Sequence, residues 1–348
     1  MKDKIKSISL FSGAGGFDLG FESTGFFETV YALEFNPVYA KTLSNNKGYL
    51  LNGNEFLKNT DVIIDSIVNI DGYDVLKKIN ISLNEKVILY GGPPCQSFST
   101  MGKRQGLNDD RGQLIFEFVR LVKEIEPDYF IFENVPNLAL QWKGKILKEL
   151  LGSFEEIGYT LAHGILDAAN YGAWTKRKRL IIIGNKQKKK VELPNPTHCK
   201  LPVLDLFNEN TLQNWKKVGD LLNSIPNPNS LEGKLLRHHT AVGHSEEVVE
   251  RLLKLKPGEQ DKIRKRWKLH PDLPSNSLMA GGDGGYVLHM HSYFPRELTL
   301  RECASIQGFP LDYQFNGKPL DVAKQIVNAV PFELARALAL QIIKNEES

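Results

Sequence analysis

Apolar positions between residues 1 and 184 fall into short runs separated by segments with helical spacing. Ile5 to Phe11 is apolar and ends in a glycine-rich turn, and Thr29 to Leu33 and Val87 to Tyr90 are two further runs. Each predicts a strand. Gln113 to Ile125 places Leu114, Ile115, Phe118, Val122 and Ile125 on one helical face, and Pro127 stops that helix. Tyr129 to Phe132 reads as the next strand, Ile146 to Ile157 as another amphipathic helix, and Leu180 to Ile183 as a continuous apolar run before Gly184. Strands alternating with helices predict an α/β domain, a Rossmann-like and mostly parallel sheet with helices on both faces.

Beyond residue 185 the pattern becomes irregular, with the turn-rich pieces PNPTH, IPNPN and GGDGG. This predicts a second, smaller domain over about 185–312. Gln325 to Ile343 then reads as one helix with Ile326, Val330, Leu334, Leu338 and Ile342 on a single face. That face needs a core, so the expected catalytic and cofactor-binding domain is 1–184 plus about 313–348. No internal repeat or low-complexity tract is visible.

Composition narrows the classes. At 348 residues, and roughly 150 per domain, two domains are expected. A hydrophobic fraction of 41% fills a core, and no run of 18 apolar residues predicts a membrane span. The lysines before the first apolar run loosely imitate an export signal. Ser and Gly break that run, however, and Asp18 and Glu22 come soon after it, so it reads as a strand and turn. Three distant cysteines, Cys95, Cys199 and Cys303, argue against a disulfide framework and for a reducing compartment. No metal is expected, because His198 with Cys199 has no second pair at ligand spacing. The net charge of +3 is unevenly spread. Residues 185–295 hold 17 Lys/Arg, 12 Asp/Glu and seven of the eight histidines, so that segment carries +5. Two basic runs inside it, Lys186–Lys190 and Lys262–Lys268, are either solvated faces or contacts for a polyanion.

Four motifs carry candidate chemistry. FSGAGGFDLGF, Phe11 to Phe21, is a strand, a glycine turn and a helix, with Glu34 at the end of the second strand. A merely tight turn would read the same, but the acidic residue tilts the reading to a nucleoside-containing cofactor. GGPPCQSFS, Gly91 to Ser99, holds Cys95 behind two prolines at a strand end, which suits a nucleophile better than a core thiol. ENV, Glu133 to Val135, comes directly after the strand FIF and places a carboxylate at the same sheet edge. In TKRKRLIIIG, strand alternation puts Arg177 and Arg179 on one face and Lys176 and Lys178 on the other. Guanidinium groups so placed suit a phosphate or a carbonyl, or a neighbouring thiolate.

Taken in order, these blocks resemble the DNA (cytosine-5)-methyltransferase family. So do DDRGQL at 109–114, YGAWTKRKR at 171–179, RELTLRECASIQGFP at 296–310 and VNAVP at 327–331. The resemblance implies transfer of a methyl group from S-adenosyl-L-methionine to C5 of a cytosine flipped out of double-stranded DNA. Cys95 would attack C6, Glu133 would hydrogen-bond the N3/N4 edge, and Arg177 and Arg179 would position the base and favour the thiolate. Cofactor contacts carry over to Phe11 on the adenine, Ser12, Gly13, Ala14, Gly15 and Gly16 through the backbone, and Glu34 on the ribose. Phe35, Ser66, Ile67, Pro94, Leu114, Asn328, Ala329 and Val330 complete the set.

Three positions depart from the family pattern. Thr175 stands for Gln, and Val327 stands for Gly before Asn328. Asp65-Ser66-Ile67 replaces Gly-Asp-Ile, which leaves either Asp65 or Ser66 to meet the adenine. The resemblance makes 185–295 the target-recognition region, with both basic runs on phosphates, and makes Ser97 to Arg111 a loop that closes over the flipped nucleotide on Gly102 and Gly106. By analogy it also implies a prokaryotic cytoplasm and a restriction-modification system with a cognate endonuclease, while one compact reader and one site make a monomer the default and no membrane is expected. Competing readings are a tRNA methyltransferase of this fold, a catalytically inactive DNA-binding relative, and a nicotinamide-dependent oxidoreductase.

Overall fold

The computed structural model describes residues 4–81, 85–94, 113–140, 144–187, 189–201, 212–263, 265–281 and 287–347. Cys95 and the loop from Ser97 to Arg111 lie outside the described residues. The chain divides into two compact units. One comprises Met1–Leu166, Lys178–Asn195 and Ala335–Ser348; the other comprises Asp167–Arg177 and Pro196–Leu334. Residues 167–177, 185–195 and 313–334 thus fall on the opposite sides of that division from the ones the pattern of turns suggests.

The first unit is built on a seven-stranded sheet. Its strands are β1 (Ile5–Leu10), β2 (Phe27–Leu33), β3 (Asp61–Ile63), β4 (Val87–Gly91), β5 (Tyr129–Asn134), β6 (Thr160–Asp167) and β7 (Lys178–Asn185). The spatial order is β3-β2-β1-β4-β5-β7-β6. From β3 to β5 every pairing is parallel. Strand β7 runs antiparallel to β5, with Ile181 opposite Glu133. The central sequences VILYG and YFIFEN are buried along their whole length, as expected for strands covered on both faces. Strands β3 and β6 carry no continuous apolar run. Asp61 is exposed in β3, and β6 mixes half-buried and exposed positions, which is why neither stands out in the sequence.

Helices α1 (Gly16–Glu22), α2 (Pro37–Asn45), α3 (Gly72–Ile79), α4 (Gln113–Ile125), α5 (Asn137–Leu140) and α6 (Lys145–Glu156) accompany these strands. The α2 start is written in the sequence. Asn36 accepts the Val38 N–H at 2.9 Å, and Pro37 occupies the first turn, where a missing N–H costs nothing. Helix α4 buries Ile115, Phe118, Val122 and Ile125 against Leu89, Phe130 and Phe132 of the sheet, the face its spacing predicts.

The second unit holds α7 (Val218–Ser224), α8 (Leu231–Leu235), α9 (Glu246–Lys254), α10 (Leu300–Ile306) and α11 (Pro319–Asn328). Two-residue bridges accompany them, including Thr175–Lys176 beside Ser275–Asn276. The single helix expected over 325–343 is instead two. Helix α11 ends at Asn328 and α12 (Phe332–Glu347) begins after Pro331. Proline has no N–H to give and disfavours helical backbone at Val330, which breaks an otherwise uniform apolar face. The pair from Pro319 to Glu347 is long and apolar enough to cross a membrane by composition, but 56% of its most apolar window is buried inside the protein. Within the first unit α12 lies against α1: a Cβ on Gly20 would come 2.4 Å from that of Ala335.

Gly184 of β7 lies opposite Phe130 of β5. A Cβ there would lie 2.1 Å from Phe130 Cε1. Gly184→Ala is therefore expected to lower stability by about 1–3 kcal/mol through overpacking. Urea unfolding checks this, and a variant as stable as the parent contradicts it.

Candidate active site

Strands β1, β2, β4 and β5 are parallel, so all four finish at one edge of the sheet. The chain leaving each strand there is polar or glycine-rich. Phe11 to Gly16 lies after β1, Glu34 and Phe35 after β2, and Gly92 to Pro94 after β4, while Glu133 and Asn134 close β5. Strand order reverses between β1 and β4. Open α/β sheets bind ligands outside the strand ends at such a switch point.

The turn after β1 is conformationally committed. Gly13 and Gly15 have φ of 57° and 85°, and Phe11 shares the left-handed region at 54°. An aromatic residue pays for that conformation, and such strain concentrates at functional sites. Glu34 is only 8% exposed. Its Oε2 accepts the Gly13 N–H at 2.8 Å, and Oε1 accepts the Asn36 N–H at 2.8 Å. Burial raises its carboxyl above the ordinary range, and those two amides partly offset the effect. Phe35 is 72% exposed, while Phe11 is half-buried against the core. Ala14 and Gly16 are buried and Pro94 is exposed. Ser66 is half-buried, and the Asp65 carboxylate is used locally, accepting the Ser66 N–H at 2.7 Å and Asn69 Nδ2 at 2.8 Å. Ile67 is sealed in the core and Leu114 packs against it, so the Ile67 side chain offers no ligand surface.

Glu133 and Arg179 meet because β7 reverses direction. An antiparallel strand begins where its parallel neighbours end, so Arg179 enters at the edge where Glu133 leaves. Arg179 Nε lies 2.5 Å from Glu133 Oε1, with about a tenth of each side chain exposed. Glu133 in turn occupies the space beside Gly92, where a Cβ would lie 2.4 Å from Oε2. Asn134 Nδ2 donates to the Pro93 carbonyl at 3.0 Å. Asn134 thereby anchors the backbone two residues before Cys95. Its role was invisible in the sequence except as the middle letter of ENV. Of the other thiols, Cys303 is fully buried and its pKa is pushed far up by burial, unsuited to a nucleophile.

Arg177 belongs to the second unit. Both arginines are buried and Lys178 is exposed, as the alternation predicts, but their partners differ. Arg177 donates to Ser277 Oγ at 3.2 Å and to the Val327 carbonyl. Gln307 Nε2 donates to the Ile326 and Ala329 carbonyls at 2.9 and 3.3 Å. Cationic and amide donors thus satisfy the last carbonyls of α11, which have no partners within the helix. The carbonyl of residue 327 is what Arg177 uses, so Val in place of Gly changes no hydrogen-bonding group. Thr175 in place of Gln is a buried bridge residue opposite Ser275. Asn328 is exposed, whereas Ala329 and Val330 are buried.

The basic runs do not have the expected character. Lys186–Lys190 comes after the end of β7 and so lies at the sheet edge opposite Glu133. Lys186 pairs with Glu126 at 2.5 Å and Lys190 with Glu192 at 2.6 Å, while Lys189 donates to the Glu346 carbonyl at 3.2 Å. In the second run, Arg266 is buried against Glu297 at 2.7 Å, and Lys268 donates to the Leu255 carbonyl at 2.9 Å. Lys262 and Lys265 remain exposed. RELTLRECA is likewise scaffold. Thr299 and Glu302 form a reciprocal capping box on α10, and Arg296 grips the Glu302 carboxylate at 2.6 Å.

Residues 5–344 match the C-5 cytosine-specific DNA methylase family. The Type II methyltransferase M1.HphI of Haemophilus parahaemolyticus is 33% identical over 352 residues, covering 97% of this chain and 86% of that protein. M.MthTI of Methanothermobacter thermautotrophicus, also a Type II methyltransferase, is 32% identical over 350 residues, covering 97% of each. A solved structure described as a DNA modification methyltransferase of an E. coli prophage superposes with a TM-score of 0.75 at 25% identity, covering 99% of this chain and 100% of that one. The S. pombe Dnmt2 methyltransferase shares the fold, with a TM-score of 0.65 at 17% identity and 98% and 99% coverage. With its match across nearly the whole length, the chain belongs to the C-5 cytosine-specific DNA methylase family, and is a DNA (cytosine-5)-methyltransferase.

Proposed function

We propose that this chain is the modification enzyme of a Type II restriction-modification system, methylating C5 of a flipped-out cytosine within a short duplex sequence, alongside a cognate endonuclease. The observation that carries the reading is the Glu133–Arg179 pair, held beside the Gly92–Pro94 backbone at the strand-end edge. The Type II relatives favour DNA over tRNA as substrate. A nicotinamide oxidoreductase leaves this pair and the Pro-Pro-Cys block without a role.

The switch point suits a nucleoside. The left-handed Phe11 and exposed Phe35 offer ring faces, the glycine turn offers amides, and Glu34 offers a buried acceptor for hydroxyls. When bound there, S-adenosyl-L-methionine supplies an electrophilic methyl group. Ser12, Gly13, Ala14, Gly15 and Gly16 would shape its seat through the backbone, with Pro94 at the rim. Asn328, Ala329 and Val330 are proposed as further contacts on the family pattern alone.

Cys95, as thiolate, would form a bond to C6 of the cytosine, and the displaced π electrons would make C5 nucleophilic. Glu133 would hydrogen-bond N4 and hold a proton at N3, so that negative charge does not accumulate on the ring. Arg179 keeps that carboxylate oriented and offers its remaining N–H groups to the base. Once C5 has gained the methyl group, loss of its proton to a base returns the electrons to the C5–C6 bond and expels the Cys95 thiolate.

Cys95→Ser is expected to abolish methylation, read by bisulfite sequencing of DNA from expressing cells, while leaving S-adenosyl-L-methionine binding within about threefold of the parent. Methylation surviving in that variant refutes the assignment of the nucleophile. Asn134→Leu, which releases the Pro93 carbonyl, is expected to lower kcat on the order of tenfold or more, as misplacement of a reacting group does. An unchanged kcat in the folded variant would show that Asn134 does not anchor the loop.

A further inference from the structure

Beneath the switch point lies a polar chain in an otherwise aromatic core. Tyr90 is fully buried, its ring 4.5 Å from that of Phe21 and 5.3 Å from that of Phe17. Its hydroxyl donates to Asp18 Oδ1 at 3.0 Å and lies 3.1 Å from Thr29 Oγ1. Asp18 is fully buried in the first turn of α1, directly after the glycine turn. Ser12, the first residue of the glycine turn, reaches Ser9 Oγ at 2.8 Å. Asp18, Tyr90 and Thr29 therefore connect α1, β4 and β2 in one hydrogen-bonded path, and Ser12 with Ser9 ties the turn to β1.

The path ends where side-chain anchorage of β4 runs out. Tyr90 is the last side chain before Gly91 and Gly92, and neither glycine has room for one. A Cβ on Gly91 would lie 2.4 Å from the Leu10 carbonyl oxygen, and one on Gly92 would strike Glu133. The Pro93-Pro94 backbone and Cys95 come directly after.

We propose that Asp18, acting through Tyr90, is a positioning residue that locks the strand bearing the nucleophile loop against the helix that leads out of the glycine turn seating the cofactor. The inference rests on the reading of Cys95 as nucleophile. A carboxyl fully buried beside aromatic rings and bonded to the last side chain of β4 is the observation that points to a functional role. Burial pushes the Asp18 carboxyl up to about 6, against the pull of Ser9, Tyr90 and Thr29. Glu22, one turn along the same helix, is raised to about 7 by burial, although it accepts the Thr29 and Leu57 N–H groups. An acid raised in the folded state stabilises fully below its unfolded value, near 4, and that contribution is lost as pH rises through about 6. A neutral residue at position 18 avoids this penalty at neutral and alkaline pH.

Asp18→Asn, Tyr90→Phe and the double variant test the proposal at pH 8. Expected are kcat values on duplex DNA lowered roughly tenfold in each single variant, with the KM for DNA unchanged. The double variant is expected to be no slower than the worse single, because both changes cut the same path. Asp18→Asn should also melt at or above the parent at pH 8 and lose that advantage near pH 5. A merely structural residue would instead lose stability and activity together. Tyr90→Phe deletes one oxygen from an intact ring, so it serves if Asp18→Asn does not fold. Parental kcat in folded Tyr90→Phe overturns the proposal, as does a double variant whose loss is the product of the two singles. If Cys95→Ser still methylates, the reading of the nucleophile fails; if that variant is inactive while Tyr90→Phe is fully active, only this positioning role fails.

Discussion

The ion pair between Glu133 and Arg179 is the contact on which the rest of the site depends. It exists because one strand of an otherwise parallel arrangement is reversed. Parallel β5 delivers a carboxylate at its end, and antiparallel β7 delivers a guanidinium at its beginning, so the two charges meet at the same rim. A parallel β7 would have put its first residues at the other end of the sheet. Two buried charges are tolerated only when paired. Pairing also fixes the direction of the carboxylate, as the role proposed for Glu133 at the edge of a base requires.

Around that pair, close approach does the work of side chains. Gly91 and Gly92 allow β4 to lie against β1 and leave room for Glu133, while Asn134 holds the Pro93 carbonyl. The same device recurs at Gly184 beneath Phe130 and at Gly20 beneath α12. The sheet edge is thus narrow and stiff, and the polar groups at it are held from behind by backbone. The glycine turn is stiff for a different reason. Glu34 ties its Gly13 amide to the neighbouring strand end, and Phe11 is forced into an unfavourable backbone region. Among the described residues, the glycine turn and the Glu133 rim are thus each held by contacts of the protein itself.

The sequence made the central strands legible because burial on both faces leaves an unbroken apolar run. It made α2 and α4 legible through Asn36-Pro37 and through a clean helical face. Strand β3 was not legible, being three residues at a sheet edge, and β6 was not, because half-burial erased its pattern. The break at Pro331 was overridden by an apolar periodicity that continues on both sides of it. The candidate site was legible at Glu34, Glu133 and Arg179, each tied to a strand end. Charge density misled at Lys186–Lys190, because a run of lysines does not reveal its partners, Glu126 from beyond the end of α4 and Glu192 two residues on. Arg177 and Gln307 illustrate the same limit: each donates to a backbone carbonyl at a helix end, which no side-chain pattern records.

The most direct measurement is to trap the reaction. A duplex carrying 5-fluorocytosine at the methylated position is incubated with the enzyme and S-adenosyl-L-methionine, and the product is digested and mapped by mass spectrometry. Fluorine cannot leave C5 as a proton does, so the account predicts a methylated adduct joined to the peptide that contains Cys95. An adduct on Cys199 or Cys303, or none at a site that is otherwise methylated, would contradict it.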